Sequence, residues 1–292
     1  MDIYNTTRYY RDIDALRHDS RTILEVIGTT TLGRPIHMLT RGSARYGTML
    51  IVGGMHAREY ITTPLLLRLA REYRGRARLC VIPSINVDGL ALVTEGIDSV
   101  SDEGVREYLI RVNGGSSDFS NWKANAKAVD LNVNFDVGWG NGTSNIRYPA
   151  PANYIGAKPM SEVENKILAG VTFQLEPDIL LTYHTRGNVI YEGYEGVIPH
   201  HSEAQRIADY THYELCHSRG SHGGYKDMFV SRYRRLGLTI ECGCDSLEHP
   251  IGMAHLDEIY LAHRGLFDMI DSDIMSVVRS DDGYKIHENG DR

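Results

Sequence analysis

Three His-x-x-Glu pairs stand in this sequence, at His56/Glu59, His200/Glu203 and His255/Glu258. At that spacing an imidazole and a carboxylate can share one divalent ion. Two histidines and one glutamate are an established donor set for a hydrolytic zinc site with a fourth position open. The pair alone is a weak signal because it recurs, so context must separate the three. Ligands of open α/β sheets collect in loops beyond the carboxyl ends of strands. Only His56 directly follows an apolar, β-branched run, TMLIVGG at 48–54. The other two pairs fall at the start of, or within, amphipathic helices, where the polarity of a solvated face accounts for them. A third ligand should come from another strand end, and His184 closes the apolar run DILLTYH. A lone histidine there reads as a satisfied core residue; beside MHARE it completes the set His56, Glu59 and His184. The cofactor expected is one zinc ion.

These side chains need a scaffold that brings distant loops to one edge. Residues 10–26 read as a helix, and GTTTLGRPIHMLTRG (28–42) as a hairpin. The run 48–54 is a buried strand, and TTPLLLRLAREY (62–73) a helix with Thr63 and Pro64 suited to its start. RLCVIPSIN (78–86) is the next strand, closed by NVDG as a turn. A helix is expected at 160–175, a strand at 178–185 followed by NVIYEGY, a helix at 202–218, a strand at 236–242 and a closing helix at 254–275. Strands alternate with helices throughout, which predicts an α/β fold: three α/β/α layers around a mixed, largely parallel central sheet. No repeat, low-complexity tract or linker interrupts residues 1–292, so one catalytic domain is expected. The polar tail SDDGYKIHENGDR is expected to fray.

GGMHAREYI, AVDLNVNF, LLTYHTRGNVIY and LTIEC, in this order, resemble the motifs of zinc carboxypeptidases over roughly residues 30–270. WKANAKAVDLN, HTRGNVIY and GGYKDMF are similar to segments of the bacterial branch that cleaves γ-D-glutamyl bonds to diaminopimelate in cell-wall peptides. The resemblance implies a metallopeptidase with Glu241 as general base, a carboxylate on a strand otherwise too apolar to want one. A structural ion pair is the other account of Glu241. It implies Asp130 as the carboxylate that orients a zinc-bound histidine, here His56; a turn or cap aspartate is the alternative. It places Asn132 on the substrate carboxylate. Lys123 and Arg58 are the candidate cations for the oxyanion, Lys123 standing where digestive relatives carry an arginine, with a solvated surface lysine as the equal alternative. Exopeptidases of the family hold the terminal carboxylate with an arginine after that asparagine. Here the residue is Val133, which cannot form a bidentate salt bridge. Substrate carboxylates would then fall to Arg186, Arg219 and Lys226, and Tyr225 would offer a hydroxyl; each also reads as surface charge or core tyrosine.

The net charge of -7 argues against nucleic acid or an anionic membrane as partner. No apolar run approaches the roughly 18 residues of a membrane span, and the first thirty residues lack the apolar core of a secretory signal. Four cysteines (Cys80, Cys216, Cys242, Cys244) without framework spacing read as reduced thiols, so a cytoplasmic protein is expected. The partner expected is a murein-derived peptide. The alternatives are a conventional carboxypeptidase and a pseudoenzyme that binds wall fragments without cleaving them. There is no GxSxG for a serine hydrolase.

Overall fold

An eight-stranded sheet runs through the computed structural model, which describes residues 3–218 and 220–280. In chain order its first half comprises α1 (Thr6–Arg17), β1 (Ile23–Thr29), β2 (Pro35–Arg41), β3 (Ser43–Val52), α2 (Thr62–Glu72), β4 (Ala77–Ile82), α3 (Val87–Glu95) and α4 (Glu103–Val112). The second half comprises α5 (Val163–Leu175), β5 (Ile179–His184), β6 (Val189–Glu192), α6 (His201–Thr211), β7 (Glu214–His217), α7 (Tyr225–Tyr233), β8 (Leu236–Glu241), α8 (Leu256–His263) and α9 (Leu266–Met269). The strand order is β1-β2-β4-β3-β5-β8-β6-β7. β4, β3, β5 and β8 run parallel at the centre, β6 and β7 pair parallel at one edge, and antiparallel pairings join these blocks to each other and to β1 and β2. The expected mixed, largely parallel sheet is therefore what forms.

Every residue of β5 is buried, which explains why ILLTYH reads as a continuous apolar run rather than an alternating one. Alternation along the central strands separates the two helical layers. Tyr183 packs on His263 of α8 and Phe267 of α9, on one face. Gly237, in register with Leu180, lies under Phe229 and Val230 of α7, on the other. His184 and Glu241 are themselves in register, so their side chains leave neighbouring parallel strands together, on the α7 face and at the carboxyl ends.

Several boundaries differ from the sequence reading. The first helix stops at Arg17, because the Asp19 side chain accepts the Arg21 backbone N–H in a turn and the β-branched stretch from Ile23 starts a strand. Asn86 does not close a turn: it caps α3, its side chain accepting from Gly89 N–H. The helix expected at 202–218 ends at Thr211, where His212 turns left-handed (φ 58°), and ELCH adds an edge strand too short to carry a periodic signal. The closing helix is broken at Gly265, whose φ of 79° interrupts the helical path. The tail from residue 281 lies outside the described residues. Among the described residues, no helix is long and apolar enough to cross a membrane.

Candidate metal centre and catalytic site

β3 runs into Gly53 and Gly54, and the loop then delivers His56 and a single 3-10 turn, Ala57–Glu59. Gly54 is obligatory in that path: its φ is +56°, and a Cβ would meet Ser84 at 2.6–2.9 Å. Thr62 clamps the turn from the start of α2, donating to Glu59 O (2.9 Å) and accepting from Gly54 N–H (3.0 Å). Asn86 ties this loop to the segment carrying Lys123, donating to Met55 O at 3.2 Å and Ala124 O at 3.1 Å. Neither Thr62 nor Asn86 stood out in the sequence, where they read as helix-start and turn residues.

His56 Nδ1 lies 2.9 Å from Glu59 Oε1, His184 Nδ1 lies 3.0 Å from Glu59 Oε2, and the two nitrogens are 3.1 Å apart. All three side chains are buried, and among the described residues they form the one cluster of His, Cys, Asp and Glu donors close enough to share an ion. Tetrahedral zinc with ligand distances near 2.0–2.2 Å sets its donors about 3.3 Å apart. The observed spacing is within a few tenths of an ångström of that, so these residues fit zinc. His56 and His184 outweigh the burial of Glu59 and hold its carboxyl below the usual range. Burial works against a charged His56, but Glu59 and Asp130 outweigh it and raise the imidazole.

The remaining His-x-x-Glu pairs stand apart from this cluster. His200 and Glu203 approach only to 4.0 Å, and His255 and Glu258 to 3.8 Å. One detail corrects the sequence reading: the His200 and Glu203 side chains are 3% and 9% exposed, buried at the start of α6 rather than on a solvated face.

Asp130 is wholly buried and serves four neighbours. Oδ1 comes within 3.2 Å of His56 Nε2, an ion-pair contact, and accepts from Asn132 N–H at 3.0 Å. Oδ2 meets Lys123 Nζ at 2.8 Å and Asn153 N–H at 3.2 Å. Asp130 thus caps the 131–133 turn through Asn132 N–H while the same carboxylate faces His56. A solvated lysine does not describe Lys123, whose side chain is 18% exposed and paired with a buried carboxylate. Burial opposes the charge of Lys123, but Asp130 raises its pKa nonetheless. Arg58, half-buried beside the cluster, keeps a buried Nε without a protein partner.

Glu241 stands half-buried at the rim, one strand over from His184. Burial raises its carboxyl to about 7 against the pull of His184, and Glu59 adds to the rise. It opens onto a chamber of about 280 Å³ lined by Asn132, Tyr191, Ser218, Lys226, Asp227 and Thr239.

Two expected substrate contacts are corrected. Tyr225 is fully buried; its hydroxyl is 2.6 Å from Thr172 Oγ1 and its ring stacks on Phe135, so it cannot reach the cleft. Lys226 reaches the chamber, but its ammonium meets Gly193 O (2.5 Å), Ser218 Oγ (2.7 Å) and Asp227 Oδ1 (2.6 Å). Two hydrogen bonds and an ion pair commit its charge within the protein rather than to a substrate carboxylate. Arg186 is turned to Asp245 at the surface, 2.8 Å away, and Arg219 lies outside the described residues. Asn132 lines the chamber, its side-chain oxygen held by Tyr225 N–H at 3.0 Å. Sequence reading missed His249, which contacts the hydroxyl (3.0 Å) and carbonyl (3.1 Å) of Thr185, next to His184. All four cysteines are free thiols.

Comparison with known proteins agrees with this geometry. The chain is 32% identical over 264 residues to "Gamma-D-glutamyl-L-diamino acid endopeptidase 1" of Lysinibacillus sphaericus, covering 82% of this chain and 65% of that protein. Its fold matches thrombin-activatable fibrinolysis inhibitor at a TM-score of 0.74 and 18% identity, covering 94% of this chain and 78% of that one. It also matches the murein-tripeptide amidase MpaA of Escherichia coli O157 at a TM-score of 0.55 and 21% identity, over 88% and 91% of the two chains. The family described as zinc carboxypeptidase, a family of metallopeptidases, matches residues 9–235, and it is to this family that the chain belongs.

Proposed function

We propose that this protein hydrolyses the amide bond between a γ-D-glutamyl residue and diaminopimelate, or a similar diamino acid, in murein-derived peptides. The observation that carries the reading is the convergence of His56 Nδ1, His184 Nδ1 and Glu59 beside Glu241, at the mouth of a polar chamber with a buried Lys226–Asp227 pair in its wall. Asn132, Ser218 and Thr239 line the chamber with uncharged donors and acceptors suited to a side chain bearing both an amine and a carboxylate. The similarity to a γ-D-glutamyl-L-diamino acid endopeptidase supports the same substrate class. A conventional carboxypeptidase is disfavoured because Val133 offers no cation for a terminal carboxylate.

His56, Glu59 and His184 would hold the metal, with Asp130 orienting the His56 ring. Zinc bound there would polarise the scissile carbonyl and acidify the attacking water. Glu241 takes the proton from that water and returns it to the leaving amine, a task suited to a carboxyl near neutrality. Arg58, with its unpaired Nε, is the protein donor for charge developing on the carbonyl oxygen; Lys123 is committed to Asp130 and adds its field.

The test is incubation of zinc-loaded protein with L-Ala-γ-D-Glu-diaminopimelate and mass spectrometry of the products, beside Glu241→Gln. The parent should release diaminopimelate and the variant should lose about 10²–10⁴-fold in kcat. Equal turnover by both would remove Glu241 from the mechanism, and release of ordinary C-terminal residues instead would overturn the substrate.

A further inference from the structure

Arg186 follows the end of β5 by two residues, and its root is fixed more firmly than its head. Thr185, just before it, is held by His249, whose Nε2 lies 3.0 Å from the hydroxyl and 3.1 Å from the carbonyl oxygen. Gly187, just after it, donates its N–H to Gly243 O at 2.7 Å. Between these anchors the guanidinium meets Asp245 through Nη1 at 2.8 Å, and that aspartate is 87% exposed. We infer that Asp245 is a placeholder, and that Arg186 receives the free α-carboxylate that a γ-linked D-glutamyl residue carries on the acyl side of the scissile bond. The inference rests on the amide hydrolysis proposed above and assigns a residue to the glutamyl half of that substrate.

The state of the guanidinium points to a missing ligand. Arginine presents its donors as a planar fork that fits a carboxylate with two parallel bonds. Here Nη1 serves Asp245, while Nε is buried and without a protein acceptor. The Nε edge of the fork thus lacks the carboxylate that would fit it. An ion pair with so exposed an aspartate contributes little, because water screens it and both side chains lose freedom to hold it. A substrate carboxylate that brings both oxygens to the fork is the stronger partner and displaces Asp245.

Position agrees with the glutamyl half. The chamber beside Glu241 takes its walls from β6, β8 and α7, through Tyr191, Thr239, Lys226 and Asp227, and Arg186 is not part of that wall. With the diamino acid in that chamber, the glutamyl residue extends past the metal cluster toward the other neighbours of Glu59. Arg186 belongs to that group. Burial lowers the His249 imidazole, Glu59 opposes the fall, and the guanidiniums of Arg58 and Arg186 both add to it, so these four side chains share one neighbourhood. The γ-linkage is what makes a cation useful there. An α-linked residue has no free α-carboxylate, its own being the scissile carbonyl, whereas the γ-linked residue brings a charge into the cleft that needs a partner.

The experiment compares L-Ala-γ-D-Glu-diaminopimelate with the same tripeptide amidated at the D-glutamyl α-carboxylate, using the zinc-loaded full chain. The parent should cleave the free acid with a kcat/KM about tenfold or more above that of the amide. Arg186→Gln should bring the acid down to the level of the amide and move the amide itself by no more than about twofold. Asp245→Asn, which removes the placeholder's charge, should raise kcat/KM for the acid by up to about fivefold through KM and leave the amide unchanged. A parent that cleaves acid and amide equally, an Arg186→Gln that depresses both peptides alike, or an Asp245→Asn that slows the acid would each overturn the assignment. Should neither peptide be cleaved, the proposed function fails, and calorimetry on the zinc-loaded Glu241→Gln variant still decides the role of Arg186. Tighter binding of the acid than of the amide, lost when Arg186→Gln is added, supports it, and equal binding rejects it.

Discussion

Asp130→Asn separates the two tasks that one buried carboxylate performs. The substitution nearly preserves shape and keeps an oxygen for one of the Asn132 and Asn153 backbone donors, but removes the charge facing Lys123 and His56. Stripping one partner from a buried ion pair costs about 3–5 kcal/mol. Lys123 retains 18% exposure, so the low end, about 3 kcal/mol, applies. For a chain of this size that lowers Tm by about 6 °C or more. Loss of a carboxylate behind a ligating histidine weakens metal affinity by about 10–100-fold. Calorimetric melting of the metal-free protein reads the first effect, and competition with a chromophoric zinc chelator reads the second. The second site is then used to part them. Adding Lys123→Met to Asp130→Asn removes the stranded cation and should recover most of the lost Tm, while zinc affinity stays low because His56 still lacks its partner. A single variant with Tm within about 1 °C of the parent and affinity within about twofold would refute the reasoning, as would recovery of zinc affinity in the double variant.

Other expectations follow from the same geometry. The rate should rise with pH along an acid limb as Glu241 gives up its proton, since a base must be ionised. Its carboxyl stands at about 7 through burial, and a nearby dication would favour the carboxylate, so the apparent pKa of kcat/KM should fall at or below that value; a limb well above 7 would point to another group. The metal-free protein should lose stability as pH falls below about 4, the ordinary range of free carboxylates. Asp130 and Glu59 are held down in the folded state, so the unfolded chain binds protons there first; acid titration of Tm checks this. Tyr225→Phe should cost about 1 kcal/mol of stability through its bond to Thr172 and leave kcat/KM unchanged. A large drop in kcat would put the hydroxyl back in the cleft.

The metal loop was legible because its information is local. An apolar strand, two glycines and a His-x-x-Glu turn are consecutive in the chain, and His184 announces itself at the end of another buried run. The sheet followed from the same alternation of runs. What stayed hidden depends on which way a side chain leaves its element. Tyr225 and Lys226 are adjacent in GGYKD, yet packing on Phe135 buries one while the other enters the chamber with its charge already committed. The pairing of Lys123 with Asp130 arises from loops folding over one another, for which no spacing exists to read. Element ends failed where a single left-handed residue or a side-chain turn intervenes, as at His212 and Asp19.

The three metal-facing donors sit at the tips of β3 and β5, which lie side by side in the sheet but are separated in the chain by β4 and by α2 through α5. Before those two strands dock, the 56–59 turn can offer only a bidentate hold on a cation, and His184 offers only one nitrogen. Tight capture must therefore come after the central strands have assembled, which makes the ion a latch on a finished sheet rather than a seed for it. During synthesis, the chain has to emerge through His184 before the full coordination set exists at all.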